Sequence, residues 1–186
     1  MAIGGTSIEH CRKLDIDGIE AICANAFAPV ISGDEQVVCF NLILHHLIGD
    51  DEASTRSLQK AALATWIGKA KYVFVNEYVY DSLVGNSSGR LIYEITRNRF
   101  LSTLASLVSK VVPSLKANTF GVGVRFRSHD EWIRLFEESG FTVVAKARGE
   151  IERTSLPLRL LLIDEVRRDS FLLAYDRPAG ARDRPG

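Results

Sequence analysis

The chain has 186 residues, 46% of them apolar and 25% charged, enough to bury one full core. Its 23 Lys and Arg balance 23 Asp and Glu, so no overall charge draws it to nucleic acid or a membrane surface. No apolar run reaches the roughly 18 residues of a membrane span, and no signal-like segment opens the sequence. Cys11, Cys23 and Cys39 have no Cys-x-x-Cys spacing and read as reduced core thiols of a cytoplasmic protein.

In chain order, residues 7–14 have the pattern of a short helix, and 18–23 alternate as a strand that ends at Asn25-Ala26-Phe27-Ala28-Pro29. Residues 37–42 read as the next strand. Asp50 and Asp51 put acid at the start of a helix whose Leu58, Ala61, Ala62 and Ile67 recur at helical spacing up to Gly68. The apolar run 71–77, rich in aromatic and β-branched residues, predicts a buried strand. Ser128-His129-Asp130-Glu131 is a capping box, followed by Trp132, Leu135 and Phe136 on one helix face and Gly140 as the stop. Residues 141–147 and 170–175 read as the last strands, and 177–186 as a disordered tail. Strands separated by helices predict an α/β doubly wound sheet with helices on both faces, in one domain over 1–176.

Three stretches carry chemistry. A strand that stops at Asn41 and turns into Leu44-His45-His46-Leu47 presents side chains beyond a carboxyl end, where open α/β sheets bind ligands. His45 and His46 can titrate near neutral pH and serve as base or hydrogen-bonding orienter; the alternative is packing at a helix start, and adjacent helical side chains diverge. Glu77, with Tyr78-Val79-Tyr80-Asp81-Ser82, closes the next strand on the same rim, either holding substrate or capping the following helix. Residues 87–127 carry Arg90, Arg97, Arg99, Lys110, Lys116, Arg125 and Arg127 against Glu94 alone, with apolar residues at helical spacing. That predicts a basic amphipathic helix, either a solvated face or a lid over an acidic or partly apolar small molecule. It lacks the interleaved exposed aromatics of a nucleic acid platform. His10 and His129 are far in sequence from the His45-His46 pair, and no carboxylate sits at ligand spacing with it, so no metal site is expected. Gly121-Val122-Gly123-Val124 lacks a preceding strand and a third glycine, and reads as a turn.

Phe40-Asn41-Leu42-Ile43-Leu44-His45-His46-Leu47 resembles the post-strand motif of class I S-adenosylmethionine-dependent methyltransferases. The stretch from Ser128 through Trp132 to Ser139-Gly140-Phe141 is similar to that family's late helix and strand, and Asp169-Ser170-Phe171-Leu172-Leu173-Ala174 to its antiparallel last strand. The resemblance, over about 18–175, implies a Rossmann-like sheet, mostly parallel with an antiparallel last strand, and methyl transfer to a small-molecule acceptor. It implies that Asn25 and Ala26 lie at the adenine, where the usual residue is Asp, that Phe40 and Asn41 line the methionine part of the cofactor, and that His45 and His46 lie next to the methyl group as catalytic candidates. Glu77, Tyr80 and Arg125 are then the substrate-side candidates, and 81–127 an inserted lid. Only 39 residues precede Phe40, with no strand followed by Gly-x-Gly, so the fold reads as truncated at its N-terminus. S-adenosylmethionine binding by this chain alone is expected to be weak or absent. An enzyme and a non-catalytic scaffold that keeps the fold for association therefore compete. The missing central strand predicts either a sheet closed up beside residues 37–42 or self-association along that edge.

Overall fold

The computed structural model describes residues 9, 10, 12–14, 16–85, 87–97, 124–152, 154, 159 and 162–175. Much of the expected lid, the Gly121 turn and the 177–186 tail lie outside these residues. The chain divides into two compact units, Met1–Ser32 and Gly33–Gly186.

In the first unit residues 9, 10, 12 and 13 are helical, but 18–23 form no strand. Alternation makes a strand only where a neighbour takes its hydrogen bonds. Here Gly18 bends the chain at φ +77°, and Ile19 and Ile22 remain exposed. Asn25 sits in a tight turn bridged to Ala28, with its Oδ1 accepting the Phe27 N–H at 3.0 Å. Cys23 and Cys39 are both exposed, not core thiols.

The second unit is a four-stranded mixed sheet. Its elements are β1 (Val37–Asn41), a 3-10 turn (Leu44–His46), α1 (Glu52–Ala64), β2 (Tyr72–Ser82), α2 (Ser87–Arg97), α3 (His129–Glu138), β3 (Phe141–Ala147) and β4 (Ile163–Tyr175). The strand order is β1-β2-β4-β3: β1 is parallel to β2, and β4 runs antiparallel between β2 and β3. Three strands thus share one direction and the last opposes them. Bulges interrupt the register at Asp81/Ser82 and at Val143/Ala145.

β2 alternates strictly, with Val73, Val75, Glu77 and Val79 buried and Tyr72, Phe74, Asn76, Tyr78 and Tyr80 half-buried on the other face. The buried face meets α3 and its neighbours: Trp132, Leu135 and Phe136 of α3 are inaccessible to solvent, and Phe136 meets Phe171 of β4 edge-on at 5.1 Å. Both capping boxes form, Asp51 with Ser54 on α1 and Ser128 with Glu131 on α3, each satisfying N–H groups that a helix start leaves orphaned. Arg56 of α1 grips Glu138 of α3 through two hydrogen bonds at 3.0 and 2.7 Å. Among the described residues no helix is long and apolar enough to cross a membrane.

Candidate functional site

β1 ends because the chain turns out of the sheet at Leu42, a non-glycine residue held at φ +56°. Such a left-handed backbone costs of order 1 kcal/mol or more and persists only where surrounding contacts fix it. The Leu42 N–H donates to the Asn76 carbonyl at 2.9 Å, and the 3-10 turn that follows is pinned from both sides. Gln59 donates to the Leu44 carbonyl at 2.9 Å, while Glu77 accepts the Leu44 N–H at 2.6 Å.

The other oxygen of Glu77 lies 2.6 Å from His45 Nδ1. Glu77 is fully buried and His45 nearly so. A carboxylate on Nδ1 fixes the ring's orientation and leaves Nε2 as the nitrogen that can meet a substrate. His46 diverges to the exposed side, its ring centroid 4.1 Å from that of His45. Partial burial, then the neighbouring His45, lower the His46 pKa against a smaller upward pull from Glu77.

Where β1 stops, residues 124–128 take over its edge of β2. Arg127 bridges Val79 in parallel, its carbonyl accepts the Tyr80 N–H at 3.1 Å, and the Arg125 N–H donates to the His45 carbonyl at 2.9 Å. This strap carries Phe126 onto the site, stacked on His45 at 5.0 Å and on Tyr80 at 4.2 Å, with Tyr78 edge-on to both His45 and Phe126 at 6.0 Å. Burial, with Tyr78 and Glu152 nearby, pushes the Tyr80 phenol up to about 12, so it stays a neutral hydrogen-bonding group. α2 can close on the strap because its residue 89 is glycine: a Cβ there would collide with the Phe126 carbonyl and the Arg125 guanidinium.

Arg125 and Arg127 are not on a basic helix face. Both are fully buried in the extended strap. Glu52 binds Arg125 Nε at 2.7 Å and Arg127 Nη1 at 2.8 Å, Glu131 binds Arg125 Nη2 at 3.0 Å, and Gln59 accepts from Arg127 Nε at 2.8 Å. Burial pulls the Glu52 carboxyl up, but hydrogen bonds and charge from the two guanidiniums outweigh it and hold the pKa below its ordinary value. Burial and the adjacent Arg125 lower that of Arg127. A default reading of Arg as exposed misses such a network, since its carboxylates lie about seventy residues upstream and on the next helix. Asp50 and Asp51 marked the start of α1 in the sequence, but Glu52, the residue that binds both arginines, carried no signal of its own.

Phe40 is in the core, because even-numbered residues of β1 face the helix layer. Asn41 Oδ1 accepts from Asn76 Nδ2 at 2.8 Å. Asn25 and Ala26 belong to the first unit, and the Asn25 side-chain Oδ1 already accepts the Phe27 N–H. Among the described residues no strand runs into a Gly-x-Gly turn and no cluster of metal-ligating side chains occurs.

No protein-family model and no curated protein matches the sequence. Solved structures do. LepI in complex with SAM matches with a TM-score of 0.52 at 11% identity, over 92% of this chain and 34% of that one. LaPhzM matches at 0.50 and 14% identity, over 92% and 39%, and a SAM-dependent methyltransferase from Methanosarcina mazei at 0.51 and 7% identity, over 93% and 79%. The fold is that of a Rossmann-like methyltransferase. The chain spans about a third of the length of LepI.

Proposed function

We propose that this chain supplies the proton-handling, acceptor-side part of an S-adenosylmethionine-dependent methyl transfer to a small molecule. The observation that carries the reading is the His45–Glu77 pair at 2.6 Å, set beyond the carboxyl end of β1 and against the middle of β2. The cofactor contributes an already activated methyl group. His45 Nε2 takes the hydroxyl or amine proton of the acceptor, and Glu77, ionised on Nδ1, stabilises the imidazolium that forms. Glu77 thus acts through His45 as a positioning residue. Phe126 and Tyr78 set a ring face and edge against the His45 ring, with Tyr80 stacked on Phe126, which suits a flat, partly apolar acceptor. Arg125 and Arg127, two of the cations behind the expectation of an acidic substrate, are neutralised inside the fold.

The test is transfer from methyl-labelled S-adenosylmethionine, at millimolar concentration, to a panel of phenols and aromatic amines. His45→Gln should lower labelled product by roughly a hundredfold or more, the range of a lost general base. Equal turnover in wild type and variant, or no labelled product from any acceptor, sinks the reading and favours a scaffold role.

A further inference from the structure

α1 buries Thr55, Gln59, Ala62 and Leu63 on one face, so a primary amide stands where an apolar side chain would serve packing as well. An amide in a core is costly unless both its ends are hydrogen-bonded. Gln59 is fully buried, and both ends are engaged: Nε2 donates to the Leu44 carbonyl at 2.9 Å, and Oε1 accepts from Arg127 Nε at 2.8 Å. The partners dictate which end is which. A guanidinium only donates and a carbonyl only accepts, so the amide oxygen faces Arg127 and its NH2 faces Leu44.

The Leu44 carbonyl belongs to the peptide unit that carries the His45 nitrogen. Within the 3-10 turn it also accepts the Leu47 N–H at 3.0 Å, and Gln59 adds a hold from α1. The next peptide unit is held as well, because the His45 carbonyl accepts the Arg125 N–H at 2.9 Å. Both planes that flank the His45 Cα are thus fixed from outside the turn, and Arg127, bound through Nη1 to Glu52 at 2.8 Å, anchors the far end of the Gln59 amide. We infer, on the role proposed for His45, that Gln59 is the residue that positions it: the amide ties the turn to α1 and the strap so that Nδ1 meets Glu77 and Nε2 is left for the acceptor. Other side chains fail one task or both. Glu would keep Arg127 but set a carboxylate oxygen against the Leu44 carbonyl, Met fills the volume and bonds neither partner, and Asn is one methylene short.

The His45–Glu77 and His129–Asp169 bonds, each 2.6 Å long, should give two Nδ1–H proton resonances far downfield at low temperature. The one lost in His45→Gln belongs to His45, and the other is a control on the same sheet. In Gln59→Glu the His45 resonance should move upfield or broaden away while that of His129 keeps its position. Labelled-methyl turnover should fall roughly tenfold or more with little change in KM, as a misplaced base implies. If Gln59→Glu does not fold, Gln59→Met, its uncharged counterpart, carries the same two readouts. An unmoved His45 resonance in a folded variant overturns the assignment, and so does a rise in KM at constant turnover. Loss of both resonances together would make Gln59 a plain stability residue and overturns it too. Absence of labelled product from the wild type sinks the methyl-transfer reading alone, and the resonances still decide whether Gln59 positions His45.

Discussion

Glu77 and Asp169 face each other across the β2–β4 ladder, both fully buried, and each holds the Nδ1 of a histidine at 2.6 Å. Like charges directly opposite on neighbouring strands repel, and burial raises the cost. Each carboxylate is therefore heavily engaged. Glu77 takes His45 and the Leu44 N–H; Asp169 takes His129, Arg167 Nε at 3.0 Å and the Gly149 N–H at 3.1 Å. Removing one should leave its histidine and N–H partners buried and unpaired, so Glu77→Ala or Asp169→Ala should each cost about 3–5 kcal/mol. The neutral pair Glu77→Gln with Asp169→Asn should cost more than the sum of its singles by about 0.5 kcal/mol or more, because each single already relieves the one repulsion that the double can remove only once. Urea unfolding of the four proteins measures this, and strict additivity would show that the two carboxylates do not sense each other.

Glu77→Gln tests its role without emptying the site. The amide oxygen can still accept the Leu44 N–H, but no negative charge remains to balance a protonated His45. Labelled-methyl turnover should fall between roughly tenfold and a thousandfold with little change in KM, as expected when only transition-state stabilisation is lost. A rise in KM at constant turnover would place Glu77 in substrate binding instead.

The strap is held by charge that acid removes. The Glu52 pKa is lowered in the fold, so its stabilising contribution is complete above the ordinary carboxylate value and is lost as the pH falls through the folded one. Glu52→Gln should therefore lower the urea midpoint at pH 7, and the gap to wild type should narrow in acid. A gap that stays constant down to pH 3 contradicts the network. Gly89→Val attacks the same strap from α2 and should unseat Phe126, seen as lost ring-current shifts on the His45 protons.

His46 should titrate below 6.5, its ordinary value, in a ring-proton NMR titration. The sign follows from linkage: between the folded pKa and 6.5 the unfolded chain binds more protons, so this contribution is full above 6.5 and declines as the pH drops below it. Glu77→Gln removes the one interaction that raises the His46 pKa and should lower the midpoint further. A midpoint above 6.5 would mean that Glu77 dominates its surroundings.

Local signals account for what the sequence made legible. Ser128 and Glu131 close the box that starts α3, Gly140 at φ +88° ends it, and the 141–147 alternation becomes β3. The histidines after β1 were visible because a polar turn after an apolar strand is a local pattern. β2 runs past Glu77 to Ser82 because β4 continues beside it to Ile163, a pairing between segments some ninety residues apart that no window of sequence contains. The same holds for the site. Glu77 read as a rim carboxylate open to substrate, and its burial depends on Leu44 and His45 arriving over it. The strand expected at 18–23 had the pattern but finds no partner strand among the described residues.

The cofactor side gives the last prediction. Binding a sulfonium nucleoside calls for backbone N–H groups that can approach it closely and an acidic group for its ribose. In the described residues Asn41 Oδ1 is engaged by Asn76, Phe40 lies in the core, and no strand leads into a Gly-x-Gly turn. Isothermal titration of the 186-residue chain with S-adenosylmethionine should give a Kd weaker than about 100 µM, near 5 kcal/mol of binding free energy or less. His45→Gln should leave that value unchanged if, as proposed, the imidazole serves the acceptor and not the cofactor. Low-micromolar affinity would mean that residues outside those described complete the cradle, and loss of that affinity in Asn41→Ala would assign Asn41 to it.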